Sequence, residues 1–208
     1  PEGHVFHYLR AGSAASRMRP EDLPAISARF VHASGISMAI SGSARETVLH
    51  AFRSAAGKKS FDSNLRLRLW PIERAREAIA EAAALADYFF PSLEDAEALS
   101  GHKDPHAMVG WAHGLGAKNV FLKLGARGVI VSDGEQRREL AGIKVKSVDA
   151  TGAGDCFCGA ALARLAAGDD IFSAARYANA AAALATTGYG AVAPIPRPAL
   201  VMQQLAAK

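Results

Sequence analysis

Hydrophobic positions along the chain form short continuous runs that alternate with longer amphipathic stretches. Most of the runs are rich in Val, Ile and Phe and show no alternation of polar and apolar residues, which is typical of parallel strands buried on both faces. They predict strands at 5–9, 29–33, 60–62, 88–90, 120–124, 129–132 and 143–145. Asp133-Gly134, between the run at 129–132 and the polar run at 135–139, predicts a hairpin turn.

The stretches between these runs are rich in Ala, a strong helix former. They predict helices at 44–56, 72–86, 93–99, 106–115, 154–167, 171–187 and 198–206. Strands that alternate with helices indicate an α/β fold with a mainly parallel sheet. Because no repeat or linker divides the chain, we expect residues 1–208 to form one domain.

Composition narrows the class of protein. Half of the 208 residues are hydrophobic and 21% are charged, which excludes a disordered or fibrous chain. No apolar run is long enough to span a bilayer, so we expect no membrane partner. A scattered net charge of +4 is too small to indicate nucleic acid but leaves room for an anionic small molecule. The two cysteines, Cys156 and Cys158, cannot form a disulfide framework, which favours the cytoplasm.

The segment Val-Asp-Ala-Thr-Gly-Ala-Gly-Asp at 148–155 carries the clearest chemistry. If it turns sharply into the following Ala-rich helix, the amides of Gly152, Ala153 and Gly154 point at one spot at the positive end of the helix dipole. Such an anion hole suits a transferring phosphoryl group. Asp155 could then accept a proton from a substrate hydroxyl as a general base. For an isolated Gly-Ala-Gly, a capping role for Asp155 would be the default reading.

The wider context favours the catalytic reading. Asp-Ala-Thr-Gly-Ala-Gly-Asp at 149–155, followed by Cys-Phe-Cys-Gly, resembles the C-terminal signature of the PfkB (ribokinase-like) carbohydrate kinases. The resemblance implies that Asp155 is the catalytic base and that the Gly-Ala-Gly amides form the anion hole. It also implies a ribokinase-like three-layer α/β/α fold.

Further markers of the family follow in order and imply an ATP site. Lys-Leu-Gly-Ala-Arg-Gly at 123–128 is similar to the family's strand and turn beside the ATP phosphates. The predicted helix around Asn179 is similar to the family's helix that flanks the adenine. Thr-Gly-Tyr-Gly-Ala at 187–191 resembles a loop that in many members holds a monovalent cation near Asp149, so K⁺ is a candidate cofactor beside Mg²⁺. The implied ATP-binding residues are Asn64, Lys123, Gly125, Gly128, Gly152, Gly154 and Asn179.

The earlier half of the chain resembles the 2-keto-3-deoxygluconate kinases within that family. Phe-His-Tyr-Leu-Arg at 6–10 and Asp-Ser-Asn-Leu-Arg at 62–66 match segments in which Tyr8, Arg10 and Arg66 would contact the sugar acid. Physical chemistry agrees, because a guanidinium holds a carboxylate in a bidentate fork whereas a neutral sugar needs none. Each Arg alone would be read as a solvated surface charge, and Asn64 as a turn residue.

The magnesium motif of the family, usually Asn-x-x-Glu, corresponds to Ser-Leu-Glu-Asp at 92–95. Asp95 can orient Mg²⁺ through water, since this ion keeps several waters and needs few carboxylates. Glu94 and Glu97 compete for that role, and an acidic helix N-terminus is the plain alternative for all three. The histidines show no metal-ligand pattern and, like both cysteines, are interpreted as surface or core residues.

Set against this family, the chain matches about the C-terminal two-thirds of a kinase domain. We expect residues 1–70 to carry part of the sugar site and residues 87–208 the nucleotide and catalytic site. Pro1 is not an initiator Met and no signal-peptide pattern follows it, so we expect the N-terminal strands and the lid to lie upstream.

The most favoured function is ATP-dependent phosphorylation of a sugar acid, 2-keto-3-deoxygluconate, to its 6-phosphate by a cytoplasmic homo-oligomer. The first alternative is a fructokinase or ribokinase acting on a neutral sugar, and the second is a sugar-binding pseudokinase, against which Asp155 argues. Neither a dinucleotide-binding Gly-x-Gly-x-x-Gly in the required context nor a Walker A motif is present.

Overall fold

A six-stranded sheet forms the centre of the computed structural model, which describes residues 7–207. The strands are Phe30–Ser34 (β1), Lys58–Asp62 (β2), Tyr88–Phe90 (β3), Asn119–Lys123 (β4), Gly128–Ser132 (β5) and Arg137–Ala141 (β6). They lie in chain order, β1 to β4 running parallel and β5 and β6 antiparallel to their neighbours. The prediction of a mainly parallel sheet is therefore confirmed, as is the hairpin at Asp133-Gly134 that joins β5 to β6.

Eight α-helices surround or extend this sheet. They are Gly35–Ala39 (α1), Gly42–Ser54 (α2), Ile72–Leu85 (α3), Leu93–Ser100 (α4), Pro105–Gly114 (α5), Ala153–Ala166 (α6), Ile171–Ala185 (α7) and Pro198–Ala206 (α8). Short 3-10 turns occur at Ala15–Arg17, Pro20–Asp22 and Gly125–Arg127. Polar side chains begin several helices: Ser41, Ser92, Asp104 and Asp170 each accept a hydrogen bond from an amide in the first turn.

The helices form layers on both faces of the sheet, because successive strand residues point to opposite sides. Phe61 and Phe89 stack with ring centres 5.9 Å apart and pack with residues of α2, α3 and α5. On the other face Phe90 and Phe121 stack at 4.6 Å and pack against α6 and α7. The α/β/α arrangement predicted from the sequence is confirmed.

The seven predicted helices and five of the seven predicted strands are present, with helix ends within two residues of the expected ones. The predicted strand 143–145 is wrong: Ile143 packs against α7 and α8 and the segment pairs with no strand. The predicted strand 5–9 is irregular over its described part, and residues 5 and 6 lie outside the described residues. Leu9 is 94% exposed there, so it contributes no buried face that would hold a strand. Helix α1 was not predicted.

No helix within residues 7–207 is long and apolar enough to cross a membrane.

Candidate active site

The four parallel strands and α6 bring polar groups to one edge of the sheet. β2 ends at Asp62 and β4 at Lys123, and the Lys123 Nζ donates to Asp62 Oδ1 at 2.8 Å. A Cβ placed on Gly154, in the first turn of α6, would lie 3.6 Å from the same Nζ. In open α/β sheets ligands bind at this carboxyl edge. The segment predicted as the catalytic turn therefore lies at the carboxyl edge of the sheet, although no strand leads directly into it.

The turn into α6 combines a left-handed glycine with the N-terminus of a helix. Gly152 precedes the helix with φ 76°, a left-handed conformation, and a Cβ there would lie 2.9 Å from the Cβ of Ala191. The Ala153 amide, which the sequence assigned to the anion hole, donates instead to the Ala150 carbonyl at 3.1 Å, because the turn closes on itself here. The first helical bond runs from the Cys156 amide to the Gly152 carbonyl. The amides of Gly154 and Asp155 make neither of these two bonds. They lie in the first turn of α6, at the positive end of the helix dipole.

Asp149 joins this turn to the loop at 187–191. Its Oδ1 accepts from the Thr151 amide at 2.9 Å and its Oδ2 from the Gly190 amide at 2.8 Å. The Asp149 and Val148 amides both donate to the Thr186 carbonyl. Asp149 and the predicted cation loop are thus in contact, and a monovalent cation there stays a prediction.

Two cavities flank the start of α6. The first, of about 450 Å³, is lined by Lys123, Gly125, Gly128, Gly154 and Asn179 of the predicted ATP-binding set. The second, of about 510 Å³, has Gly152 and the exposed Asp155 at its wall and is otherwise formed almost wholly by apolar residues. Such a lining is unsuited to a polyhydroxylated acid, which needs several converging polar groups.

The wall of the first cavity includes residues that the sequence reasoning missed. Ile143, Lys144 and Val145, the segment predicted as a strand, line it instead, opposite Ala182 and Ala183 of α7. The side-chain Nδ2 of Asn179 donates to the Ala141 carbonyl at 2.9 Å, and this bond joins α7 to the end of β6. Its predicted place beside adenine stays a prediction.

Lys123, which lines this cavity, forms a nearly buried ion pair with Asp62. Their side chains are 14% and 6% exposed. Burial alone would lower the pKa of Lys123, but the neighbouring Asp62 carboxylate keeps it above its ordinary value. Burial raises the pKa of the Cys158 thiol, 3.8 Å from Nζ, so this group stays protonated. Lys123 is therefore a fixed positive charge.

Asp95 is engaged with the loop that follows β2. Its Oδ2 accepts from Ser63 Oγ at 2.6 Å and from the Leu65 amide at 3.1 Å, while Ser92 Oγ caps its own amide. Burial raises the pKa of Asp95. Within residues 7–207 no group of three or more His, Cys, Asp or Glu side chains could hold a metal ion by itself. This fits Mg²⁺ bound chiefly by nucleotide phosphates and water. Glu94 and Glu97 are exposed on α4.

Of the predicted sugar-binding residues, Asp155 lines the second cavity, whereas Tyr8, Arg10 and Arg66 line neither cavity, and neither does Asn64, which was predicted to bind ATP. Tyr8 and Arg10 lie in the irregular segment before the first 3-10 turn. Arg66 donates to the Leu65 carbonyl, and Asn64, just after β2, has φ 33°. A left-handed Asn is typical of a turn, as its alternative reading held. The sugar-binding assignments therefore stay predictions.

Sequence reasoning did not single out Asp62 or His32. Asp62 is the last residue of the predicted strand 60–62 and precedes Asn64 by two positions. Its place at the carboxyl end of a strand was the one signal in the sequence that could have identified it as a site residue. His32 Nδ1 lies 2.9 Å from Ser60 Oγ. Packing around the ring lowers the pKa of His32, although Asp62 and Asp155 oppose this effect. His32 therefore favours its neutral form, although it lies near the charged side chains at the carboxyl edge of the sheet.

Comparisons with known proteins agree with this geometry. Residues 8–198 match the model of the pfkB family of carbohydrate kinases. The 2-dehydro-3-deoxygluconokinase of Thermoproteus tenax is 36% identical over 198 residues, covering 92% of this chain and 60% of that protein. The enzyme of the same name from Bacillus subtilis is 32% identical over 197 residues, 91% of this chain and 61% of that protein. The chain thus spans about 60% of the length of these curated relatives.

Solved structures show the same fold. Aminoimidazole riboside kinase from Salmonella enterica, complexed with aminoimidazole riboside and an ATP analog, superposes with a TM-score of 0.84 at 31% identity. The superposition covers 90% of this chain and 66% of that one. Fructokinase from Vibrio cholerae O395, with fructose, ADP and calcium ion bound, gives 0.81 at 29% identity over 90% and 64%.

Proposed function

The chain belongs to the pfkB family of carbohydrate kinases, and we propose that it carries the nucleotide-binding and catalytic part of a kinase that transfers phosphate from ATP to a sugar acid. The preferred substrate is 2-keto-3-deoxygluconate, phosphorylated at its 6-hydroxyl.

One observation carries the proposal. The exposed Asp155 stands in the first turn of α6, and the neighbouring Gly154 meets both the ammonium of Lys123 and the first cavity. A general base, a helix N-terminus and a fixed cation at one point are what an in-line phosphoryl transfer needs. A pure sugar-binding protein has no need of the base.

The first cavity suits a nucleotide. Its volume of about 450 Å³ lies in the range of small-molecule sites. We place the adenosine along the apolar wall formed by α7 and the segment 143–145, and the phosphates beside Gly125, Lys123 and Gly154. Bound with the nucleotide, Mg²⁺ would supply neutralisation of phosphate charge. Asp95 would reach it only through water.

The reaction follows from these positions. Asp155 removes the proton of the sugar hydroxyl as its oxygen attacks the terminal phosphorus of ATP in line with the departing ADP. The bond from that phosphorus to the β,γ-bridging oxygen breaks, and its electrons leave with ADP. The amides at the start of α6 and the Lys123 ammonium stabilise the negative charge on the transferring group.

The sugar-acid assignment rests on the two arginines and on the named relatives. Arg10 and Arg66 would hold the carboxylate, an interaction that a neutral sugar cannot offer. Two curated relatives above 30% identity bear the name 2-dehydro-3-deoxygluconokinase. The runner-up is a neutral-sugar kinase, which the likeness to the fructokinase of Vibrio cholerae favours.

A substrate panel tests this assignment. Turnover with 2-keto-3-deoxygluconate, 2-keto-3-deoxygalactonate, fructose and ribose is measured for the unmodified protein and for Arg10→Ala and Arg66→Ala. We expect the acids to be preferred, and each variant to raise KM for acids roughly 10- to 100-fold, as expected from losing a charged hydrogen bond, with little change for fructose. Arg53→Ala, an exposed Arg that pairs with Glu81, is the control. Equal losses for acidic and neutral sugars would contradict the acid assignment, and preference for fructose would support the runner-up.

A further inference from the structure

A buried ion pair crosses the carboxyl edge of the sheet. Strands β2 and β4 are separated by β3, so their backbones lie about 10 Å apart at the usual strand spacing. The side chain of Lys123 spans this gap to reach Asp62 Oδ1 at 2.8 Å. The Lys123 amide also donates to the Pro91 carbonyl at 2.9 Å. Both ends of the lysine are therefore fixed.

Stability alone gives no good reason for such a pair. Replacing a buried ion pair by apolar residues of similar volume is often neutral or stabilising. This pair differs from a structural one because Lys123 lines the nucleotide cavity and its Nζ lies beside Gly154. Its position points to a role toward a ligand.

The ammonium has donor capacity to spare. A lysine carries three N–H donors. Asp62 Oδ1 accepts one, and the Cys158 Sγ, a weak acceptor, lies at 3.8 Å. An anion entering the cavity beside Gly154 can accept from the ammonium without breaking its bond to Asp62.

We propose that Asp62 is a positioning residue that holds the Lys123 ammonium beside Gly154, where the terminal phosphate of the nucleotide is transferred. This inference rests on the proposed function. It adds a residue that acts through Lys123 rather than on the substrate, and it explains why an acidic group is paired with the lysine of a site for an anion.

Asp62 is the carboxylate bonded directly to this ammonium, and of the two nearby carboxylates it contributes more to keeping the lysine charged. The titratable neighbours of Lys123 are Asp62 on β2, Asp95 on α4, Cys158 on α6 and His32 on β1. Burial raises the pKa of the Cys158 thiol, which therefore stays protonated, and packing lowers the pKa of His32. Asp95 adds a smaller attraction for the ammonium, while its Oδ2 is bonded to Ser63 and to the Leu65 amide. Without Asp62, burial would lower the pKa of Lys123.

The test compares the unmodified protein with Asp62→Asn, Lys123→Met and the double variant. ATP affinity is measured by calorimetry between about pH 6 and about pH 9, and the Lys123 Nζ is followed by NMR of labelled lysine without nucleotide. In Asp62→Asn we expect ATP affinity close to that of the unmodified protein at the acid end and about tenfold weaker at the alkaline end, where a lysine with a lowered pKa is deprotonated. The unmodified protein keeps its lysine charged throughout, and Lys123→Met binds weakly at every pH.

Asp87→Asn is the matched control. Asp87 is also nearly buried and pairs with lysines, Lys58 and Lys118, but at the amino edge of the sheet. We expect its ATP affinity to follow that of the unmodified protein at every pH. A pH-dependent loss in this variant as large as in Asp62→Asn would overturn the proposal.

The outcomes separate the two claims. If the unmodified protein binds no ATP, the proposed function fails and this inference fails with it. If it binds ATP and Asp62→Asn shows the same affinity and a lysine still charged at the alkaline end, the inference alone is overturned. Should Asp62→Asn not fold, Asp62→Glu decides, because it keeps the charge but moves the carboxylate by one methylene: ATP binding as tight as in the unmodified protein would contradict the positioning role, and weaker binding at every pH would support it. The double variant should bind ATP as weakly as Lys123→Met, and a clear difference between these two would contradict a role of Asp62 through Lys123.

Discussion

At the scale of the residue, the catalytic turn depends on a backbone conformation as much as on a side chain. Gly152 has φ 76°, and the Cβ that any other residue would add lies 2.9 Å from the Cβ of Ala191. Gly152 lies directly before Ala153, the first residue of α6, so the amides of Gly154 and Asp155 lie in the first helical turn. Asp149 fixes the other side of the turn through Gly190. In the proposed mechanism, these neighbours position the base without taking part in the chemistry.

Gly152→Ala tests this dependence. We expect a loss of about 1–2 kcal/mol in the free energy of unfolding, because the left-handed conformation disfavours a Cβ and Ala191 must move. We also expect turnover to fall at temperatures where the variant is still fully folded, because the turn that positions Asp155 is distorted. Thermal unfolding and ATP-dependent turnover measure the two effects.

Gly159→Ala is the matched control for that variant. Gly159 lies inside the same helix, and a Cβ there meets nothing within 4 Å. Alanine should therefore stabilise the helix by roughly 0.5–1 kcal/mol. If Gly152→Ala were as stable and as active as Gly159→Ala, the strained turn would not be needed.

At the scale of the element, the two edges of the parallel sheet serve different purposes. The carboxyl edge collects Asp62, Lys123 and the start of α6. At the amino edge, Asp87 before β3 accepts from the Lys59 amide and pairs with Lys58 and Lys118, which joins β2, β3 and β4. The cluster at the carboxyl edge forms part of the candidate site, whereas the cluster at the amino edge stabilises the pairing of the strands.

Asp87→Asn tests the structural cluster. Burial alone would raise the pKa of Asp87, but the Lys59 amide and Lys118 hold it below the ordinary value of 3.8. A depressed carboxyl pKa stabilises the folded state above the unfolded pKa, and this stabilisation is lost as the pH falls through the folded pKa. We expect the variant to lose about 1 kcal/mol at neutral pH, since its lysine partners are well exposed. In denaturant titrations the difference should disappear in strong acid; a difference that persisted there would contradict the ionic explanation.

At the scale of the whole molecule, much of the fold followed from hydrophobic pattern alone. Short, mainly apolar runs predicted β1 to β5, because strands buried on both faces need apolar residues at most positions. The same signal was wrong at 143–145, since Ile143 packs against α7 and Val145 lines the cavity, and neither joins a ladder. A hydrophobic pattern shows that residues are buried, but it does not show whether a strand, a helix contact or a cavity wall buries them.

The candidate site divides in the same way. Local segments predicted the turn at Gly152 and the cavity residues Gly125 and Asn179, because each lies in a continuous motif. The pairing of Asp62 with Lys123 joins residues 61 positions apart in the chain across an intervening strand. No local pattern carries that information, which arises only when the strand order is fixed.

The central claim is that Asp155 is the base of an ATP-dependent sugar kinase, and transfer of labelled phosphate from ATP to 2-keto-3-deoxygluconate by Asp155→Asn tests it most directly. We predict unchanged ADP affinity and a loss of turnover of about 10²- to 10⁴-fold, the usual contribution of a general base. Asp170→Asn is the matched control, since Asp170 also begins a helix but serves only as its cap, and it should keep full activity. Turnover by Asp155→Asn close to that of the unmodified protein would contradict the account.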